Sequence, residues 1–277
     1  MSIDERLNRY EMKIEGNGFL TTLLPDISQT VPGVNKALFC LLQDVINYAE
    51  SLKESLQVAK QETDQEKQKI IATVTYIRLL EVVEAAFILS AYGIREELQS
   101  LFRIFLDAYF VHANCCSSPE FIPAYILSDE QSRLEMLNVA TKYDSEMFKA
   151  TKEYATAELK NQLENKIREE KIEAFNSYLY AKNVNCEQIY DSLYRLTSAS
   201  VHTTPRCLSN YIETDEHGVI LQVLHGSRPE DTNHALFDMS WFFLKATRGI
   251  CELFQLPMGT LDCLDKRIKE YETERKD

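Results

Sequence analysis

VTYIRLLEVVEAAFILSAYG (residues 74–93) decides the fold class. It is the most apolar stretch of the chain and long enough to raise the question of a membrane span. Arg78, Glu81 and Glu84 lie inside it, and hydrocarbon does not tolerate such charges without partners. The stretch therefore reads as a helix deep in a bundle. Its charged lead-in, QETDQEKQK (61–69), extends it back to about Glu66, and Gly93 closes it as a C-cap glycine. Directly after comes IREELQSLFRIFLDAYFVH (94–112), a further helix that runs to about Cys116. Two long helices joined by one glycine are the seed of a helical bundle.

The pattern continues outward. Upstream, Leu38, Leu41, Leu42, Val45, Ile46, Ala49, Leu52 and Leu56 follow the 3-4 spacing of one apolar stripe from Val34 onward. Residues 1–33 hold Gly16, Gly18, Pro25, Pro32 and Gly33 and are expected to form an N-terminal arm. Downstream, Ser128 with Asp129 and Glu130 resembles an N-cap opening a helix over 129–142. The mixed-charge stretch 145–182 predicts one long, protruding helix. Another helix is expected from about Cys186 to Thr203, stopped by Pro205. YIETDEHGVILQVLHG (211–226) carries a turn signal between β-prone runs and predicts a small hairpin over 211–225, packed on the helices. Asp231–Gln255 is amphipathic and contains Trp241, and a charged helix ends the chain. The expected fold is mainly all-α, a multi-helix bundle over 34–277 with one small β-hairpin.

Composition narrows the chemistry. The chain has 277 residues, 8 glycines and 7 prolines, too few turn residues for a β-sandwich of this length. The net charge of −13 argues against a broad basic nucleic-acid cradle. The start of the chain has no apolar signal core, and the seven cysteines form no CxxC pair, so a cytoplasmic protein with reduced thiols is expected. No metal-ligand spacing, phosphate loop, HExxH or GxSxG occurs, and no metal or cofactor is expected.

Five histidines remain. His112 lies in an apolar helix and is expected to pack. His217 falls in the hairpin turn. Arg228 and His234 are a second match to the pattern Arg, four to six residues, His, but Pro229 and a helix start intervene. His202 follows Arg195 by seven positions, two helical turns, which places the pair about 20° apart on one face. Ser198 and Ala199 between them are small and leave a groove. There an Arg could stabilise a charged phosphate transition state and a His could move a proton. The competing structural account is that Asp191 pairs with Arg195 and that His202 caps its own helix.

LYRLTSASVH (193–202) resembles the Tyr-Arg-x-Leu-Ser-x-x-Val-His pattern of a bacterial helical family placed near the HEPN superfamily. The 94–112 segment resembles the same family's other helix, with Arg103 followed four residues later by Asp107. Thr197 stands where the pattern has Ser, and Asp107 where Glu is more common. The resemblance implies a homodimeric, metal-independent endoribonuclease, a toxin or effector in bacterial defence, with an RNA substrate and an antitoxin or other partner protein. His202 would work on the ribose 2′-hydroxyl or the leaving oxygen, and Arg195 would hold the scissile phosphate. Tyr194, Ser198, Arg103 and Asp107 would support them. Arg103 and Asp107 also have a structural account, as a pair buried in an apolar helix. The alternative to an enzyme is a non-catalytic interaction or regulatory module.

Overall fold

The computed structural model describes residues 36–58, 62–92, 94–143, 145–224 and 232–276. The expected arm at 1–33, the Gly93 cap, and Arg228 lie outside them. Helix α1 (Lys36–Ser51) continues into a 3₁₀ turn (Lys53–Leu56). Helices α2 (Asp64–Ala91) and α3 (Arg95–Ser117) follow. A capping box starts α2, with Thr63 accepting from the Glu66 amide while the Glu66 carboxylate accepts from the Thr63 amide.

α2 and α3 form an antiparallel pair, since Gln68 near the start of α2 donates to the Cys115 carbonyl near the end of α3, 2.8 Å away. Helix α12 (Asn233–Phe254) packs across both. The Tyr76 ring of α2 stacks on Phe243 of α12 at 5.7 Å, and its hydroxyl is 3.0 Å from Thr247. α1 packs on α2, α12 and α13 (Gly259–Lys276), and Arg267 of α13 joins Asp44 of α1 at 2.7 Å. One apolar cluster extends from Leu38 to Ile268. Its largest sealed side chains include Phe87, Phe105, Phe110 and Phe243, each adding roughly 1.5–3 kcal/mol over an exposed ring.

The middle of the chain departs from expectation. Helices α4 (Phe121–Leu127) and α5 (Asp129–Lys142) are nearly continuous. Ser128 has helical backbone angles and donates its hydroxyl to the Tyr125 carbonyl instead of capping α5. The single protruding helix expected over 145–182 does not form. A 3₁₀ turn (Glu146–Phe148), α6 (Lys149–Tyr154), α7 (Ala157–Glu169) and α8 (Ser177–Asn183) replace it. Thr156 and Asn176 cap the starts of α7 and α8, and Lys171 takes a positive φ of 52° between them. The segment folds back rather than protruding. α7 lies on α5, with Lys166 2.7 Å from Glu130, and α8 lies on α3. Leu163, Ile172 and Tyr180 are buried there.

Strands β1 (Ile212–Thr214) and β2 (Ile220–Val223) make the expected hairpin, pairing Ile212 with Val223 and Glu213 with Gln222. Asp215 organises the turn by accepting from the His217 and Val219 amides, and Gly218 supplies the positive φ of 79°. The hairpin is less packed than expected, because all four residues of β2 are exposed. Among the described residues no helix is long and apolar enough to cross a membrane.

Candidate functional site

The segment expected as one helix over 186–203 is built in three parts. A single turn, α9 (Glu187–Ile189), leads into a π turn (Tyr190–Tyr194) and then α10 (Arg195–Val201). The local sequence explains the irregularity. Thr197 and Ser198 return their hydroxyls to the Leu193 and Tyr194 carbonyls, at 2.8 and 2.6 Å, which weakens and bends a helix. Tyr190 and Tyr194 stack at 4.4 Å, and both rings also meet Phe110 of α3. Aromatic packing thus offsets the widened ladder.

Four of the expected site residues converge. Arg103 of α3 donates from Nε to Ser198 Oγ at 2.9 Å and places its guanidinium over the Tyr194 ring. It also bonds Asp107 and the Tyr194 hydroxyl. Asp107 Oδ1 accepts from Tyr194 at 3.0 Å and from Ser177 of α8 at 2.6 Å. Burial, with the Asp107 charge adding to it, pushes the Tyr194 phenol up to about 12, so it stays a hydrogen-bond donor near neutral pH. The cluster is a closed, half-buried clamp that fixes α10 and α8 on α3. Arg103 and Asp107 pair with each other, as the structural account expected, and Arg103 also reaches Ser198 on α10.

Arg195 and His202 are placed differently. The helix between them is unbroken, and both side chains are exposed. The Arg195 side chain is 67 % exposed, with its Nε 3.1 Å from Asp191 and its guanidinium 5.8 Å from the Tyr190 ring centroid. An ion pair this open contributes under about 1 kcal/mol and yields readily to an incoming anion. His202 is the first residue past α10 and has extended backbone (φ −114°, ψ 144°). Pro205 does not stop α10. It occupies the first turn of α11 (Pro205–Ser209), which Thr204 caps. The residue before proline is steered out of helical angles, and the chain turns at 202–204.

The shared groove expected for Arg195 and His202 is not present as drawn from spacing. His202 lines a cleft of about 350 Å³ with Glu97 and Ser100 of α3, Ser200, Leu208 and Tyr211, and Arg195 does not line it. Glu97, Ser100 and Tyr211 were missed from the sequence. No periodicity links the start of α3 to residues a hundred positions later.

His112 shows the contrasting case. Only 1 % exposed, its Nδ1 lies 3.1 Å from Thr75 Oγ1 and 3.2 Å from the Ala72 carbonyl. Its Nε2 lies 3.1 Å from the Ala246 carbonyl and 3.4 Å from Cys116 Sγ. Burial pulls the imidazole down to about 4 against these carbonyls, so it is neutral, as a packing histidine should be. Burial also pushes the Cys116 thiol up, which leaves that cysteine a poor nucleophile. Among the described residues no group of three or more His, Cys, Asp and Glu side chains is arranged to hold a metal ion.

Residues 69–219 match a protein family described as a family of unknown function, DUF5677. The chain belongs to the DUF5677 family. No curated protein and no solved structure shows a significant match. The DUF5677 segment runs from α2 through the hairpin turn. It takes in the Arg103–Asp107 clamp, the π turn, Arg195 and His202, while α12, which walls the core, lies beyond it.

Proposed function

We propose that this DUF5677 protein is a metal-independent endoribonuclease of the HEPN kind, a toxin or effector in bacterial defence, held in check by a partner protein. The observation that carries the reading is the exposure of both side chains at the two ends of α10: Arg195 opens the helix, and His202 stands just past its last residue beside a cleft. A π turn immediately before Arg195 adds support, since such turns recur at functional sites. In the reaction, His202 takes the proton of the ribose 2′-hydroxyl as O2′ bonds to phosphorus. The P–O5′ bond breaks, and an imidazolium protonates the leaving O5′. The products are a 2′,3′-cyclic phosphate and a 5′-hydroxyl. Arg195 leaves Asp191 to hold the non-bridging oxygens. Because the nucleophile belongs to the substrate, positioning supplies much of the rate. Seven residues of helix separate the two groups by about 10 Å along the axis, so a second copy of the chain supplies the facing pair.

The test is cleavage of single-stranded RNA by the purified chain in excess EDTA, with the new ends identified chemically. His202→Ala is expected to cut the rate by about 100-fold or more. An unchanged rate in that variant, with cyclic-phosphate ends still formed, would overturn the assignment. A second reading, a non-catalytic interaction module, is favoured by the Arg195–Asp191 pair and by the exposed Val219, Ile220, Leu221 and Val223 of the hairpin. It predicts no cleavage at all, together with loss of complex formation when Leu221 is replaced by Lys.

A further inference from the structure

The cleft beside His202 has a chemical bias that the catalytic reading leaves unused. Its floor is the first turn of α3. Glu96 is 5 % exposed, with Oε2 accepting from Asn210 Nδ2 at 3.0 Å. Its Oε1 has no hydrogen-bond partner among the described residues, although Arg95 Nε stands 3.7 Å away as a counter-charge. Glu97 lines the same cleft from the next position. Glu96 Oε2 lies 4.0 Å from Cys207 Sγ, and that thiol is pushed up by burial and by the charges of Glu96 and Glu97. Ser100 commits its hydroxyl proton to the Ser200 carbonyl at 2.8 Å, so its oxygen is left as an acceptor. Tyr211 and Leu208 provide an aromatic and an aliphatic wall.

Beside His202 and Thr203, the two carboxylates and the Ser100 oxygen make this lining rich in acceptors and unfavourable to anions. A phosphate is unfavourable inside it and belongs outside, toward Arg195. What suits the cleft is a flat group with apolar faces and an edge of N–H donors. At about 350 Å³ it lies at the small end of ligand pockets, the size for one such group rather than a stacked pair. Among the RNA bases, guanine alone presents two neighbouring donors on its pairing edge, N1–H and the N2 amino group, which match a carboxylate. Adenine and cytosine set one amino donor beside an acceptor, and uracil sets one N–H between two carbonyls. Unstacked bases of single-stranded RNA are commonly read in this way, by stacking and by their pairing edge.

We infer that the His202 cleft binds the guanine base of an RNA substrate, with Glu97 accepting from its donor edge. This rests on the ribonuclease reading for the identity of the substrate, but binding is measurable apart from cleavage. The probes are the four uncharged ribonucleosides, which carry no phosphate for Arg195 to attract, titrated against the full chain by calorimetry. Guanosine is expected to bind at least about tenfold tighter than adenosine, cytidine or uridine. Glu97→Gln, an exposed substitution that spares the fold, brings guanosine to the level of the others. Arg195→Ala leaves guanosine binding unchanged while abolishing cleavage. Equal or undetectable binding of all four nucleosides, or guanosine binding indifferent to Glu97→Gln, overturns the inference. RNA cleavage without guanosine preference keeps the nuclease and removes the guanine site. Guanosine-selective binding without any cleavage keeps the site and removes the nuclease.

Discussion

His112 and His202 lie in two regions built on opposite principles. His112 sits where α2, α3 and α12 meet, with both ring nitrogens engaged and almost no solvent contact. His202 sits at the loose end of a seven-residue helix, exposed, with its backbone carbonyl accepting from the Thr204 amide at 2.7 Å. The first histidine is spent on holding helices together. The second is available. Residue type alone does not separate them; the saturation of their polar atoms does.

The comparison can be broken most sharply at His112. Replacing it with Ala removes a packed, buried ring and its hydrogen bonds, so a loss of about 3 kcal/mol in unfolding free energy is expected by urea denaturation. His202→Ala should leave that free energy within about 0.5 kcal/mol, because an exposed side chain adds little. Equal losses for both variants would erase the distinction.

Acidity sharpens it further. His112 titrates at about 4 when folded, below its ordinary value of 6.5. Between those values the unfolded chain carries a proton that the folded chain refuses, so this residue makes stability fall as pH drops from about 6.5 to 4. Glu84 works the other way. Burial first, and the Glu50 carboxylate beside it second, raise Glu84 to about 7. Its protonated form is favoured in the fold, so its contribution is full below about 4.5 and is lost as pH rises through 7. Glu84→Gln should therefore stabilise the protein by about 1 kcal/mol at pH 8, a benefit that fades toward pH 4.5, as thermal melts across that range would show. A pH-independent gap between the two proteins would contradict a Glu84 carboxyl whose proton affinity rises on folding.

The smallest effect is expected at Asp191. Asp191→Asn releases Arg195, costs less than about 0.5 kcal/mol in stability, and should raise affinity for single-stranded RNA a few-fold in filter binding at low salt. Weaker RNA binding would mean that Asp191 orients the guanidinium rather than occupying it.

How much of this was legible in the sequence follows from what each element uses to fold. α1, α2, α3 and α12 bury one face, so their apolar spacing shows in the residues, and their ends fell within a few positions of expectation. Residues 145–182 bury little, and their mixed charges suit any helix equally. Their breaks are made by Thr156, Asn176 and the strained Lys171, without the Gly or Pro that usually punctuates a chain. The Arg103–Asp107 pair was readable from its four-residue spacing. Its reach to Ser177, Tyr194 and Ser198 was not, because it depends on how α8 and α10 land on α3. The same holds for Glu97 and Tyr211 beside His202.

The turn at Tyr190–Tyr194 sets the compass of everything after it. One surplus residue in a helical ladder advances the screw by about 100°, so α10 points its side chains where an even helix from Glu187 could not. Deleting a single position there would swing Arg195 and Ser198 away from Arg103 and toward new neighbours. The bearing of this whole face thus hangs on one amino acid of length, held in place by two stacked tyrosines.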